Sequence, residues 1–498
     1  MQKIFLLLGA CTIITAAQAQ HTFSTIIKEA GSNAPVTSAT ILLKSKQVAT
    51  VSDSNGYAVL KNIPGGKQTI VISRVGYETK QVHFNFPLSD TSPIVILLKV
   101  LEDDLEEVVI QSTRTSRTIK NTPTRVETID GEELDEKNNM RPANVSMLLH
   151  ESTGMQVQQT SATSGNASIR VQGLDGRYTQ LLKDGYPNFG NFASGLSVLE
   201  IPPLDLKQVE VIKGPASTLY GGGAIAGVVN FISKLPQEKF EGDMIFNQSH
   251  IGQTNLGAYF SQKKNKLGYT ILGSLNFQKA YDVDKDEFSE IPKSNNFTIA
   301  PVLFYYPNAS TSIKLGNSFT RGTNTGGDMV VIKSGANANH VYFEENKTTR
   351  NTSTLELDKK WGTAMSLKLK QSLAIFDRHI TIPNYNFSGT STNSFTDLSL
   401  SANRQKHFII GGINIVFDKF KQENSSSLNA QSFTAGVYLQ DTWDVTDAIK
   451  IESGVRIDNV QYKNINYNKN QTFVLPRASV LFRDQQQNKF EGRCRIRL

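Results

Sequence analysis

Cysteine is almost absent. Cys11 and Cys494 are the only two in 498 residues, and a pair at opposite ends makes no disulfide framework. After the N-terminus no run of roughly 18 or more apolar residues occurs, which excludes a helical membrane span. Charged residues make up 19%, too few for a solvated, charge-rich disordered chain. The seven histidines are dispersed. No HExxH or HxxE spacing offers a zinc site, and no G-x-S-x-G offers a nucleophile, so neither an enzyme nor a cofactor or metal is expected. The net charge of +7 is scattered rather than clustered on one stripe, so nucleic acid is not an expected partner.

What is present begins with an export signal. "MQKIFLLLGACTIITAAQAQ" has one positive charge at Lys3, an apolar stretch from Ile4 to Ala17 and a small-x-small site at Ala17-Gln18-Ala19. Residues 1–19 therefore read as a signal peptide. Cys11 follows Leu8-Gly9-Ala10 like a lipobox, but the apolar stretch continues past it. Removal of the signal leaves Cys494 as the one thiol.

Residues 21–99 read as a small β-sandwich. Short alternating runs such as "ATILLKS" and "QTIVISRVGYET" are separated by turn chemistry at "SDSNGY" and "IPGGK". Asn55-Gly56 predicts a hairpin turn with both central residues at positive φ. Residues 100–120, "LEDDLEEVVIQSTRTSRTIK" after Val100, have linker composition around one β-branched segment. That segment can add itself as an edge strand to another protein's sheet. Residues 121–234 are mixed α/β, with helical spacing around Val145, Leu148 and Leu149 and strand alternation in "LKQVEVIKG".

From about 235 the texture changes. Tyr269, Ile271, Gly273, Leu275 and Phe277 share one face, and Thr270, Ser274, Asn276 and Gln278 the other. Phe433, Ala435, Val437 and Leu439 alternate with Thr434, Gly436, Tyr438 and Gln440, and Ile451, Val455 and Ile457 with Glu452, Arg456 and Asp458. Segments of about ten residues, apolar on one side and polar on the other, are what a transmembrane β-barrel requires. The segment "FTRGTNTGGDMVVIKSGANANHVYFEENKTTRNTST" reads as a long polar loop. "YDVDKDEF" sets Asp282, Asp284 and Asp286 at alternate positions, but without the glycine and glutamate of a calcium loop it reads as a solvated acidic loop. His340 and Glu344 are a weak metal pair.

The glycine-rich "VEVIKGPASTLYGGGAIAGVVNFISK", Val209 to Lys234, is not a phosphate cradle. No GK[ST] follows Gly221, Gly223 and Gly227, and the next residues are strand-like. A close backbone crossing, where a packed domain passes into the first barrel strand, explains the glycines better.

That stretch closely resembles the plug terminus of TonB-dependent outer-membrane receptors. "IRVQGLDGRYTQLLKDGYP" (Ile169 to Pro187) resembles their central plug motif, and "EEVVI" (Glu106, Glu107, Val108, Val109, Ile110) sits where they carry the TonB box. The order strand, Asp-x-x-Gly turn, strand, Pro-Gly turn and Gly-Tyr in 21–99 resembles the carboxypeptidase regulatory-like domain, a transthyretin-like sandwich without a peptidase site.

The resemblance implies a mainly β fold. It comprises the N-terminal β-sandwich, the linker with TonB box, an α/β plug domain (121–234) and part of a transmembrane antiparallel β-barrel (235–490), which has roughly 22 strands in the full family fold. It also implies an outer-membrane location in a Gram-negative bacterium, with outer-membrane lipid as one partner. The others are TonB, energised by ExbB and ExbD, and an extracellular ligand. The implied function is uptake of a large scarce ligand: a ferric siderophore or another metal chelate, with cobalamin, haem and glycan as alternatives. A cell-surface binding or adhesion module without active transport is the rival reading.

Residue by residue, the plug motifs map to Arg170, Gly173, Asp184, Gly185, Glu210, Lys213, Gly214, Pro215, Tyr220, Gly221 and Gly227. Arg170 and Glu210 would form ionic plug–wall latches or serve structural packing alone. Ligand contacts are expected from the aromatic and polar apex Tyr186, Asn188, Phe189, Asn191 and Phe192.

One departure stands out. At roughly twenty residues per strand and loop, the region after 235 supplies about a dozen strands. The ending, "EGRCRIRL" (491–498), has no strand pattern and no terminal aromatic. A frameshift, truncation or assembly break near Phe490 is therefore expected.

Overall fold

A computed structural model describes residues 21–46, 48–90, 92–99, 109–114, 118–140, 142–143, 145–150, 152–159, 161, 167–187, 201–482 and 494–496. The chain divides into two compact units, 1–107 and 108–498.

The first unit is the expected sandwich. One sheet orders its strands Val48–Val51, Thr40–Leu43, Gly66–Ser73, Lys80–Phe86, and the other Tyr57–Ile63, His21–Glu29, Ile94–Leu98. Every second residue points inward, and Phe23, Ile27, Ile41, Leu43, Leu60, Ile70 and Ile72 form the core. The turn at "SDSNGY" differs from expectation. The flanking strands belong to different sheets, and of Asn55 and Gly56 only the glycine has positive φ. The Asp53 carboxylate accepts from the Asn55 and Tyr57 amides, each at 2.9 Å, and this Asx turn replaces the hairpin geometry. A Cβ on Gly56 would lie 2.3 Å from the Ile27 carbonyl oxygen, so the position admits only glycine.

The second unit begins with a central α/β domain. Its five-stranded sheet runs Tyr186–Pro187, Thr179–Lys183, Gly227–Ser233, Leu206–Lys213, Val126–Asp130. Helices Gly131–Met140 and Ser146–His150 pack on it, burying Leu134, Val145, Leu148 and Leu149 against Val209, Val211, Val229 and Phe231. "VVNFIS" is thus a central strand of this sheet rather than the first strand of the barrel. Its glycines divide by role. Gly227 lies beside the Ile212 carbonyl, where a Cβ would come within 2.1 Å of the oxygen. Gly221 caps the short helix Ser217–Tyr220 at φ +77°. Gly222 and Gly223 face open space.

Around this domain runs one long antiparallel sheet of twelve consecutive strands, Glu241–Gln248 through Asn468–Phe482, followed by a short strand, Cys494–Ile496. That short strand pairs with Val480–Phe482, in a tail that has no strand pattern in its sequence. Among the described residues, Glu241–Gln248 pairs only with Gln253–Lys264, so the sheet is not closed into a barrel.

The two faces of the sheet are inverted relative to a soluble sandwich. Ile271, Leu275, Val437, Leu439, Val455 and Ile457 are exposed, while Asp397, Tyr438, Glu452, Arg456 and Asp458 are buried toward the central domain. The expected alternation therefore holds, with lipid-compatible side chains outside.

The strands are longer than expected, reaching twenty residues in Tyr385–Arg404. Most of the anticipated polar loop is strand, Thr311–Gly327 and Phe343–Trp361, with 328–342 between them. Beyond the apolar band both faces can be polar, so the hydrophobic period vanishes while threonine-rich β-propensity persists.

Candidate functional site

The central domain meets the wall sheet through polar and charged groups, and three of these contacts involve expected motif residues or their immediate neighbours. The first is at residues 109–114. Ile110 is fully buried among Val126, Leu182, Ile212, Ala216 and Val228. The residues that follow have no strand partners, and a buried carboxylate takes over that role. Glu210 accepts from the Gln111 amide at 2.8 Å, the Ser112 amide at 2.6 Å and Gln208 Nε2 at 2.6 Å. Gln208 Nε2 also donates to the Val109 carbonyl, at 3.2 Å, and Tyr220 hydroxyl donates to the Ser112 carbonyl, at 2.6 Å. Burial pushes the Tyr220 hydroxyl up to about 12, with the Arg114 guanidinium pulling the other way.

Arg114 carries the segment to the wall. Its Nη1 lies 2.9 and 3.1 Å from the two carboxylate oxygens of Asp397, and its guanidinium stands 5.3 Å from the ring centres of both Tyr220 and Tyr438. Arg114 holds φ +57°, an uncommon backbone state for a non-glycine residue.

A second contact joins Thr124 and Pro215 to the wall. Thr124 Oγ1 donates to Glu452 Oε1 at 2.6 Å, and Arg477 Nε donates to the Pro215 carbonyl at 3.0 Å while its Nη1 pairs with Glu452.

The third lies at the Asp184-Gly185 turn. Both residues are left-handed, φ +52° and +76°, the two-residue geometry that suits a tight hairpin between Thr179–Lys183 and Tyr186–Pro187. Lys314 Nζ donates to Asp184 Oδ2 at 3.0 Å, Lys370 Nζ donates to the Asp184 carbonyl, and the Tyr186 hydroxyl donates to the Leu355 carbonyl at 2.9 Å. Burial alone would raise the Asp184 carboxyl. The Lys314 ammonium and the Ser233 amide outweigh it and hold the group at about 2. Between this turn and the wall a cavity is lined by Lys183, Asp205, Thr298, Lys314, Arg350 and Thr354.

Of the two readings for Arg170 and Glu210, the latch is not the one the structure supports. The Glu210 carboxylate does not reach the wall; as the centre of a buried sheet it binds the preceding segment instead. Arg170 lies half-buried opposite Gln156 and makes no ion pair with the wall among the described residues. Lys213 is also internal, bonding Glu127 and the Thr153 carbonyl.

Gly173 and Gly214 adopt φ +78° and +105° at the ends of their strands. Glu106, Glu107 and Val108, and the apex residues Asn188, Phe189, Asn191 and Phe192, lie outside the described residues. Arg114, Asp397, Tyr438, Lys314 and Lys370 were not singled out from the sequence. The available signal was a lone charge on an inward strand face, as Asp397 is in "NSFTDLSL" between Phe395 and Ser399.

Asp282, Asp284, Asp286 and Glu290 converge, their carboxylates within 4.8 Å of one another, on the exposed loop before Lys293. His340 Nδ1 pairs with Asp328 Oδ2 at 2.6 Å.

The chain is similar to known proteins. Family models match residues 118–228 as a TonB-dependent receptor plug domain, 25–110 as a carboxypeptidase regulatory-like domain and 241–489 as a TonB-dependent receptor-like β-barrel. The iron-regulated outer membrane virulence protein of Vibrio cholerae is 30% identical over 148 residues, 28% of this chain and 22% of that protein. The ferrioxamine receptor of Yersinia enterocolitica is 23% identical over 438 residues, 72% of this chain and 58% of that protein.

Among solved structures, the siderophore receptor PirA of Acinetobacter baumannii superposes with a TM-score of 0.61 at 18% identity, covering 72% of this chain and 59% of PirA. The P. aeruginosa FpvA complex with a pyoverdine gives 0.64 at 13% identity, covering 75% and 57%. At these identities the structural likeness speaks for the fold. The chain spans 58% of the ferrioxamine receptor and smaller shares of other curated relatives.

Proposed function

The chain belongs to the TonB-dependent receptor family, and from that premise we propose that it serves energised uptake of a ferric siderophore or similar iron chelate across an outer membrane. The observation that carries the reading is the docking of residues 109–114. The segment directly after the candidate TonB box Glu106–Ile110 is held by Glu210 inside the plug and by Asp397 on the wall. Such an arrangement keeps the box's C-terminal end stowed until a partner pairs with it as an added strand and pulls.

In this mechanism TonB, driven by ExbB and ExbD, draws on the box from the periplasmic side. Arg114 leaves Asp397 and Tyr438, Glu210 loses two backbone donors, and the plug loosens from its N-terminal end. The ligand enters at the other end, on the side of the Asp184-Gly185 turn and Tyr186. Iron chelates are favoured over cobalamin, haem and glycans because relatives are named for iron regulation and ferrioxamine, and solved neighbours for siderophores. The vitamin B12 transporter of Vibrio vulnificus, 37% identical over 92 residues, keeps cobalamin as the alternative ligand.

The test is binding of the TonB C-terminal domain to a peptide spanning Asp103 to Ser112, with a Val109→Pro variant, which cannot donate to the added ladder, as control. Binding abolished by proline is expected. No binding by either peptide points instead to a surface binding or adhesion module. Expression under iron starvation checks the ligand: unchanged levels would count against iron.

A further inference from the structure

Asp441 is a carboxylate on the apolar, outward side of the wall. Along the strand Ala430–Asp444, Gln440 and Thr442 are buried toward the plug, while Val437, Leu439 and Trp443 are exposed on the other face. The two-residue period sets Asp441 in that outward row, between Leu439 and Trp443. Its ladder partners are the exposed Ile409 and Ser453, and its own side chain stays 32% exposed.

A histidine fixes the direction of this carboxylate. His407 Nδ1 lies 2.7 Å from Asp441 Oδ2, and the imidazole stacks on Trp443 with ring centres 5.6 Å apart. A carboxylate oxygen accepts, so Nδ1 carries the hydrogen. The other oxygen, Oδ1, is turned against the sheet and meets no donor. Among the described residues no lysine or arginine pairs with Asp441. Arg404 faces His407 directly across the next ladder, exposed on the same outward side, and among the described residues it has no carboxylate partner.

The three residues lie at one end of the wall. The two-residue turns 265–266, 309–310 and 405–406 are at that end, and the longer segments 279–292 and 328–342 at the other. In outer-membrane barrels short turns are periplasmic, and aromatic residues mark the border of the apolar band. Trp443 and Trp361 are both exposed at this end. Asp441 thus stands where acyl chains give way to headgroups, and an unbalanced charge there is costly.

We propose that Asp441, His407 and Arg404 form a site for a phospholipid headgroup that bears a primary ammonium. A carboxylate oxygen has two lone pairs, and His407 uses one on Oδ2, so the ammonium donates to the other. The headgroup phosphate accepts from the Arg404 guanidinium. Cation and anion stand two strands apart, roughly 10 Å between backbones, with His407 between them as the positioning residue. That spacing suits the two ends of one zwitterion. A choline headgroup has the same charge but no N–H to donate, so the site prefers the primary amine. The inference rests on the membrane reading of the outer face and not on iron uptake.

Trp443 fluorescence tests this in the full chain carrying Trp361→Phe, which leaves one tryptophan. The vesicles hold phosphatidylethanolamine and phosphatidylcholine in equal amounts, with brominated acyl chains on one lipid or the other. Bromine quenches at short range, so the two preparations report which lipid adjoins Trp443. Phosphatidylethanolamine is expected to be enriched there by about fivefold, which one charge-assisted hydrogen bond near water can supply.

Asp441→Asn is nearly isosteric and should make the two lipids quench equally. Arg404→Gln should keep the preference, since phosphate is common to both. The assignment is overturned if the lipids quench equally in the parent chain, or if Asp441→Asn retains the preference. It is also overturned if Arg404→Gln abolishes the preference as fully as Asp441→Asn, because the effect is then a general disturbance of the rim. No quenching by either lipid would place this face outside the bilayer and remove the site, while leaving the uptake reading to its own test.

Discussion

Arg114 and Asp397 stand 283 positions apart in the chain, yet one guanidinium nitrogen reaches both oxygens of the carboxylate, at 2.9 and 3.1 Å. The pair lies between aromatic rings and away from water, so it is screened far less than a surface ion pair. It joins the residue four positions after Ile110 to a strand of the wall.

Breaking this pair should therefore change partner binding more than overall stability. Asp397→Asn frees residues 109–114 locally, and a stowed segment binds its partner with an affinity reduced by the fraction of time it is free. TonB C-terminal domain affinity is expected to rise by about tenfold in Asp397→Asn and to change little in Arg114→Lys. Titration calorimetry on the reconstituted chain distinguishes the two.

Glu210 makes a sharper stability prediction. Its carboxylate is surrounded by three donors, two of them backbone amides, and is fully buried. In Glu210→Gln one oxygen becomes an NH2 group that must face an N–H. The loss is expected at about 2–4 kcal/mol, because a buried donor is left without an acceptor. Denaturant unfolding followed through the plug measures it, and a change below about 0.5 kcal/mol, the range of an inert surface substitution, would remove Glu210 from the docking account.

The difference between what was legible and what was not follows from the range of the interactions. The outward Ile271, Leu275, Val437 and Leu439 could be read because a strand's two-residue period is local and lipid enforces it. Asp184-Gly185 was reached only through the resemblance to the plug motif, and at Asn55-Gly56 turn chemistry pointed to a hairpin where the fold makes an Asx turn. Glu210 was placed in its strand correctly but given the wrong partner. Nothing in "VEVIKGP" distinguishes a carboxylate aimed at the wall from one aimed at residues 111 and 112. Arg114 was invisible within "STRTSR" for the same reason: its partner arrives by a long-range fold contact, and short polar stretches carry no record of such contacts.

The glycine-rich stretch gives a paired prediction. Gly227→Ala puts a methyl 2.1 Å from the Ile212 carbonyl oxygen, against backbone that cannot yield, whereas Gly222→Ala meets nothing within 4 Å. The first should cost upwards of about 3 kcal/mol, and the second should stay within about 0.5 kcal/mol. Thermal unfolding of the two variants side by side checks whether these glycines are there for close approach, as the geometry says, or for general flexibility. Equal effects would support flexibility.

The Asp184 turn sets an acid limit. Its carboxyl sits at about 2 in the folded protein, below the ordinary value of 3.8. A lowered folded pKa means that the contribution is fully present above the unfolded value and is lost as pH falls through the window between the two. Protection of the Asp184 and Gly185 amides should therefore be flat from neutrality to about pH 5 and decline between about pH 4 and 2. Asp184→Asn should abolish that decline and lower protection at every pH, because its one amide oxygen can accept from the Ser233 amide or from Lys314 but not from both. Hydrogen exchange across this pH series, corrected for intrinsic rates, is the measurement.

The two faces of the wall differ in what they tolerate. Val437 is 51% exposed and its neighbour Tyr438 is buried toward the plug. If the outer face meets lipid, Val437→Arg should cost about 2–4 kcal/mol near mid-bilayer in vesicles and almost nothing when the chain is transferred to urea, where hydrocarbon is absent. Tyr438→Phe keeps the ring beside Arg114 but removes the hydroxyl that bonds Asp397, so it should leave bilayer insertion unchanged and raise exchange at Gln111 and Ser112. Insertion measured by protease protection, together with amide exchange, separates the two faces. If Val437→Arg inserts as well as the parent chain, the outer face does not lie in hydrocarbon, and the membrane reading of this sheet fails with it.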